Sequence, residues 1–246
     1  SVQALNDSVP GARSVPWTFG VGNPTSTYEG NHVYSVQLRE GADVPALNHM
    51  AVDDTYISQG EANTAHGSSQ IEIGVGCDPG ITQNHTYQCY AIYQVDMGLM
   101  PLHPDVNPHS ATLSIHMNNI IEYGMANYLD LTAYAVINPN FGEDGATWNQ
   151  AGTGINWGAS GLQPGIDYAT TPLDTVRISN SAFAGWLEFD ISAAMASTNG
   201  TLTIVIIPTV NAGHMVIRVD NSESTDDTLR PVVHFNYTVV DAITVS

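Results

Sequence analysis

The sequence predicts an all-β chain: an antiparallel β-sandwich of jelly-roll type with an extended N-terminal arm. Three observations predict it. Apolar residues recur at every second position in segment after segment. Turn clusters such as Asp78-Pro79-Gly80, Glu143-Asp144-Gly145 and Asn199-Gly200 separate those segments. Only Ser192 to Ser197 reads as helical, and briefly. Many short alternating strands between turn signals are the pattern of a two-layered antiparallel fold.

Taken in order, residues 1–48 form the arm. Pro10, Pro16, Pro24 and Pro45 punctuate it, and one alternating stretch, His32 to Leu38, has the length of a strand. Residues 49–238 form the sandwich domain. Tyr87, Cys89, Ala91, Tyr93 and Val95 share one face of a strand. Ala111, Leu113, Ile115 and Met117 mark the next, and Leu129, Leu131, Ala133 and Ala135 another. Phe141 to Pro172 is a long loop region with seven glycines, Trp148 and Trp157; a loop of this length is functional or covered. Leu187, Phe189 and Ile191 then alternate against Trp186, Glu188 and Asp190. Thr201 to Pro208 reads as a strand buried on both faces, Met215 to Val219 as its successor, and Val232 to Val240 as the last. Residues 239–246 continue as a C-terminal strand extension.

The chain has no lysine; five arginines stand against 24 acidic residues, for a net charge of -19. Nucleic-acid binding needs a basic stripe that displaces counterions, and a peripheral membrane protein needs a polybasic face, so both partners are excluded. No stretch approaches the roughly 20 apolar residues of a membrane helix, so no membrane insertion is expected. Only 12% of residues are charged, which leaves a surface of neutral polar groups suited to hydroxyl-rich partners and divalent cations.

Cys77 and Cys89 flank a turn and are read as a disulfide across a hairpin, with two buried thiols as the alternative. A disulfide implies an oxidising, extracellular or cell-surface location, and a mature secreted protein fits a chain that begins at Ser1. Sequons at Asn6, Asn84, Asn199 and Asn236 are compatible with a glycoprotein.

Four short motifs occur in a fixed order. They are Asp54-Thr55-Tyr56-Ile57-Ser58 with Asn63-Thr64 and His66-Gly67; Thr147-Trp148-Asn149; Trp186 to Ile191; and Asp220 to Ser224 with Arg230-Pro231. Over roughly residues 52–238 the chain resembles the extracellular modules called DNRLRE or disaggregatase-related domains. The resemblance implies a β-sandwich of surface and secreted proteins, some of them carbohydrate-binding modules and others spacers in adhesins. The strand from Cys89 to Met97 lacks the arginines that the family carries there.

No nucleophile elbow, His-Glu-x-x-His or phosphate loop is present, and no catalytic residue is assigned. Glu188 and Asp190 are the nearest approach to an enzyme, two carboxylates on one strand face about 6.5–7 Å apart along the chain. For a structural calcium, Asp53, Asp54, Glu188 and Asp190 are the candidate ligands, since calcium takes hard oxygens. Asp220 to Asp226 lacks the glycine and distal glutamate of an EF-hand. His103 and His109 flank a loop without zinc-site spacing. Aromatic rings that stack on sugars make Trp148, Trp157 and Trp186 the candidate polysaccharide-binding residues; the alternative for Trp148 is to anchor its own loop.

These features point to a structural, self-assembling subunit of an extracellular filament or surface layer. Its partners are other copies of itself, joined in a homopolymer by exchange of terminal strands. The alternative is a non-catalytic module recognising an extracellular polysaccharide.

Overall fold

In a computed structural model the chain is described over residues 27–30, 33–39, 52–67, 69–77, 86–97, 106–137, 141–195 and 200–239. Strands β1 (Thr27–Gly30) and β2 (Val33–Arg39) come from the N-terminal arm. They are followed by β3 (Val52–Ser58), β4 (Ile71–Val75), β5 (Gln88–Asp96), the 19-residue β6 (Val106–Gly124) and β7 (Tyr128–Ala135). The region that follows contributes a small ribbon, β8 (Gln150–Gly152) with β9 (Ile155–Asn156). Then come β10 (Asp174–Ser179), β11 (Gly185–Asp190), a single helical turn α1 (Ser192–Met195), β12 (Thr201–Val210), β13 (His214–Val219) and β14 (Val232–Val239).

Twelve strands form one curled sheet in the order β1-β2-β14-β6-β13-β4-β5-β12-β7-β10, with β11 added on β6 and β3 on β5. Every strand pair is antiparallel. The fold is therefore all-β, as expected, and the curled half-barrel is consistent with a sandwich. One strand exceeds expectation: β6 runs well past Ala111–Met117, because β11, β13 and β14 all pair along its length.

Alternation decides which way each strand faces. Ala91, Tyr93 and Val95 of β5, Leu113 and Ile115 of β6, Leu129 and Leu131 of β7, and Phe189 of β11 turn into one main core. Val36 and Leu38 of β2, each 1% exposed, belong to it too. Close packing reaches the backbone at Gly74, where a Cβ would stand 2.3 Å from the Met215 carbonyl oxygen, so β4 can lie this close to β13 only with glycine.

A second core covers the opposite face of the same sheet. Ile57 of β3, Ile92 of β5 and Val205 of β12 meet Phe141, Trp148, Trp157 and Leu162 of the long loop region. That covering is why Thr201–Pro208 reads as apolar on both faces. The expected disulfide is present between Cys77 and Cys89, whose Cα atoms are 5.9 Å apart.

The described part of the arm lies on its own chain. β2 pairs with β14 from Val33↔Thr238 to Arg39↔Val232, and β1 pairs with β2. Arg39 donates from Nη1 to the carbonyl of Asp227. The rest of the arm and residues 240–246 of the C-terminal extension lie outside the described residues.

Candidate functional site

Two places on the sheet collect polar groups. The first is the edge of β3, which among the described residues pairs only with β5. Asp54 in the middle of that strand is fully buried. Its Oδ2 accepts the backbone N–H of Ser222 at 2.8 Å, and its Oδ1 accepts the Ser222 hydroxyl at 3.3 Å. The first and last of the four motifs are thus in direct contact. Glu223 is held by Asn221, which donates to Oε2 at 2.7 Å, and lies within reach of the Ser222 hydroxyl at 3.0 Å.

Glu143 completes the cluster from a short 3-10 turn, Glu143–Gly145. One carboxylate oxygen from each of Asp54, Glu143 and Glu223 lies within 4.8 Å of the other two. The same segment carries the second motif. Thr147 Oγ1 accepts from the amides of Asn149 and Gln150, and Asn149 bonds Asn63 of the first motif at 2.8 Å. Three of the four motifs therefore converge around β3 and the turn that follows it.

The electrostatics of this cluster are unfavourable to charge. Burial first, then the neighbouring Glu223 and Glu143, hold the Asp54 carboxyl well above the usual range, against the Ser222 hydrogen bonds. Burial, then Glu223, Asp53 and Asp144, push Glu143 up to about 8. The described arginines serve elsewhere: Arg177 on Asp130, Arg218 on Glu72, Arg39 on Asp227 and Arg230 on the Ser224 carbonyl.

The second place is the outer face of β11, β6 and β14. Register sets Trp186 opposite His116, Glu188 opposite Ser114 and Asp190 opposite Thr112, with His234 of β14 on the far side of Thr112. Trp186 is 41% exposed, and the His116 ring meets it edge-on at 5.3 Å. Below it, Asp220 bonds His116 Nδ1 at 2.8 Å and accepts from Asn118 at 3.0 Å.

Several expected residues occupy other settings. Trp148 and Trp157 are buried in the second core, 8% and 5% exposed, and neither ring presents a face to a ligand. The Trp157 indole N–H donates to the Thr147 carbonyl, and Trp148 packs on Tyr90. A Cβ at Gly161, where φ is +80°, would overlap the Trp148 ring, so the chain at Gly161 closes tightly over it. Loop anchoring is therefore the role the structure gives these two tryptophans, and Trp186 alone of the three stands open.

The four expected calcium ligands are not one site. Asp54 belongs to the trio with half-buried Glu143 and exposed Glu223, and Asp53 lies in the field of Glu143. Glu188 and Asp190 lie on β11 and are not part of that group. The Asp190 carboxylate is taken by the Ser192 amide and hydroxyl at the entry to α1, which hold its pKa below the usual range. Glu143 and Glu223 were not foreseen as ligands. Their signal was position: each acid sits beside or within a motif segment.

Of the sequons, Asn236 lies in β14 between β2 and β6, with its amide on the Ser110 hydroxyl. Asn6, Asn84 and Asn199 lie outside the described residues, as does His103. His109 is exposed and contacts Thr238. Among the described residues no helix is long and apolar enough to cross a membrane.

No family model matches the chain, and no curated protein matches it. Among solved structures, the VP2 subviral particle of infectious bursal disease virus aligns with 89% of this chain at 11% identity and a TM-score of 0.16. The chain spans 63% of that protein's length, and a likeness of this size carries no argument.

Proposed function

We propose that the chain is a structural, non-catalytic subunit of an extracellular or cell-surface assembly. It is built on a jelly-roll-type sandwich of the DNRLRE or disaggregatase-related kind and joined to other copies by exchange of terminal strands. The observation that carries this reading is the place of β2. The strand comes from the arm, yet Val36 and Leu38 complete the main core at 1% exposure. Burying two such side chains is worth about 3–6 kcal/mol, a large part of the stability of an ordinary domain. The core therefore needs a β2, and any copy's β2 makes identical contacts.

The connection from Arg39 to Val52 sets how far β2 can reach from its own body. Its 12 intervening residues, 40–51, span up to about 40 Å when extended. Donation in trans gives up no pairing along β14 and loses only the effective concentration of a tethered strand. A strand donated head-to-tail from copy to copy builds a filament.

Electron microscopy and light scattering of the purified protein test this. Assemblies are expected that vanish when residues 1–39 are deleted, and a synthetic 27–39 peptide is expected to restore the fold while capping growth. A monodisperse monomer at high concentration removes the proposal.

The exposure of Trp186 favours a second reading, recognition of a neutral polysaccharide on the outer face of β11, β6 and β14. Binding to insoluble polysaccharides that is lost in Trp186→Ala supports it. Retention of binding in that variant sets it aside.

A further inference from the structure

We propose that Asp54, Glu143 and Glu223 together hold a calcium ion that clamps β3 to the 3-10 turn after residue 141 and to the loop between β13 and β14. The proposal does not depend on the assembly reading above. Its geometry is the convergence of one oxygen from each carboxylate within 4.8 Å. Calcium–oxygen distances of about 2.3–2.6 Å put any two ligands of one ion no more than about 5 Å apart, so a single ion can touch all three.

Two further observations point to a ligand. The Oε1 atom of Glu143 is buried without a hydrogen-bond partner. Tyr93 is completely buried, and its hydroxyl also lacks a partner. In the β3–β5 register Tyr93 stands directly opposite Asp54, so its ring leaves the sheet on the same face as that carboxylate. A buried hydroxyl and a buried carboxylate oxygen left open beside an acid cluster are costly in a closed structure. A hydrated cation answers both, with the metal taking Glu143 and its water taking the phenol.

Charge balance gives the same answer. Three carboxylates drawn together around the buried Asp54 repel one another, and a cation among them would relieve that repulsion. The chain has no lysine, and the described arginines are bonded to other groups. A cation that serves the cluster must therefore come from solution. The donors are hard oxygens, without imidazole or thiolate, which selects calcium or magnesium over transition metals. Three carboxylates from separate segments suit the larger and geometrically less demanding calcium.

The experiment is thermal unfolding and titration calorimetry of the full chain with calcium chloride, magnesium chloride or chelator at pH 7.5. Calcium at about a hundredfold excess over its dissociation constant is expected to raise Tm by at least about 5 °C. Glu143→Gln and Glu223→Gln are each expected to weaken calcium binding at least about tenfold. Glu223→Gln removes a repelling carboxylate, and Glu143→Gln replaces a carboxyl that largely holds its proton at pH 7.5 with a neutral amide, so both variants without calcium are expected to melt at or above the calcium-free parent. Absence of a calcium shift in the parent overturns the site. So does a shift of the same size in both variants, an equal shift with magnesium, or calcium-free variants that melt well below the parent.

Discussion

The closed end of β3 and the open face of β11 are built from the same residue types, and those residues have opposite roles. Each region has a tryptophan and a set of acids drawn from the sequence motifs. At the closed end Trp148 is core, and Asp54 and Glu143 resist ionisation. On the open face Trp186 meets solvent, and Asp190 is ionised more easily than usual because Ser192 donates to it twice. Covering decides the difference. The loop region 141–168 lies over one face of β3, β5 and β12 and closes over Trp148, and Asp54 on the other face is enclosed by the main core and Ser222, whereas among the described residues no such layer lies over Trp186.

The largest test of that contrast is Trp148→Ala, which should cost about 3–5 kcal/mol in urea unfolding, as for a large core aromatic. Trp186→Ala should cost about 1 kcal/mol or less by the same measurement, since much of its ring already meets water. Equal losses would erase the distinction between the regions. Asp190→Ala should cost about 1 kcal/mol, the value of a capping carboxylate.

The pH response should differ in sign between the two regions. Glu143 holds its proton up to about 8, against an ordinary value of 4.5. The folded state thus binds the extra proton, and its contribution is complete below 4.5 and lost as pH rises through about 8. Asp190 has a lowered value, so its contribution is present above 3.8 and lost as pH falls. Stability curves of calcium-free protein from pH 4.5 to 8.5 should therefore flatten in Glu143→Gln. Curves below pH 4 should flatten in Asp190→Asn. The smallest effect is expected for Glu188→Gln, within about 0.5 kcal/mol, since it is an exposed strand residue.

Strand positions were legible where one face was apolar and the other polar. Gln88–Asp96, Tyr128–Ala135 and Val232–Val239 follow that alternation almost residue for residue. Ile71–Val75 was missed because five residues hold only three apolar positions, and Gly74 serves backbone approach rather than packing. The C-terminal end of β6 is hidden because Asn118 and Asn119 interrupt the apolar pattern where β13 takes over the pairing. Asp54 was visible as a candidate ligand. Glu143 and Glu223 were hidden by sequence distance: 143 − 54 is 89 positions and 223 − 143 is 80, so only the chain path brings them together. The tryptophans show the same limit. Of the three tryptophans read as candidates, only the loop path determines which two are covered.

The register of β2 against β14 has a mechanical consequence. Val33, where β2 starts, lies opposite Thr238, near where β14 ends. A pull on the N-terminal side of β2 and the C-terminal side of β14 therefore acts at the same end of the ribbon. The load falls on one backbone pair at a time and opens the ribbon like a zipper, a yielding first link under tension while the strands behind it stay shut.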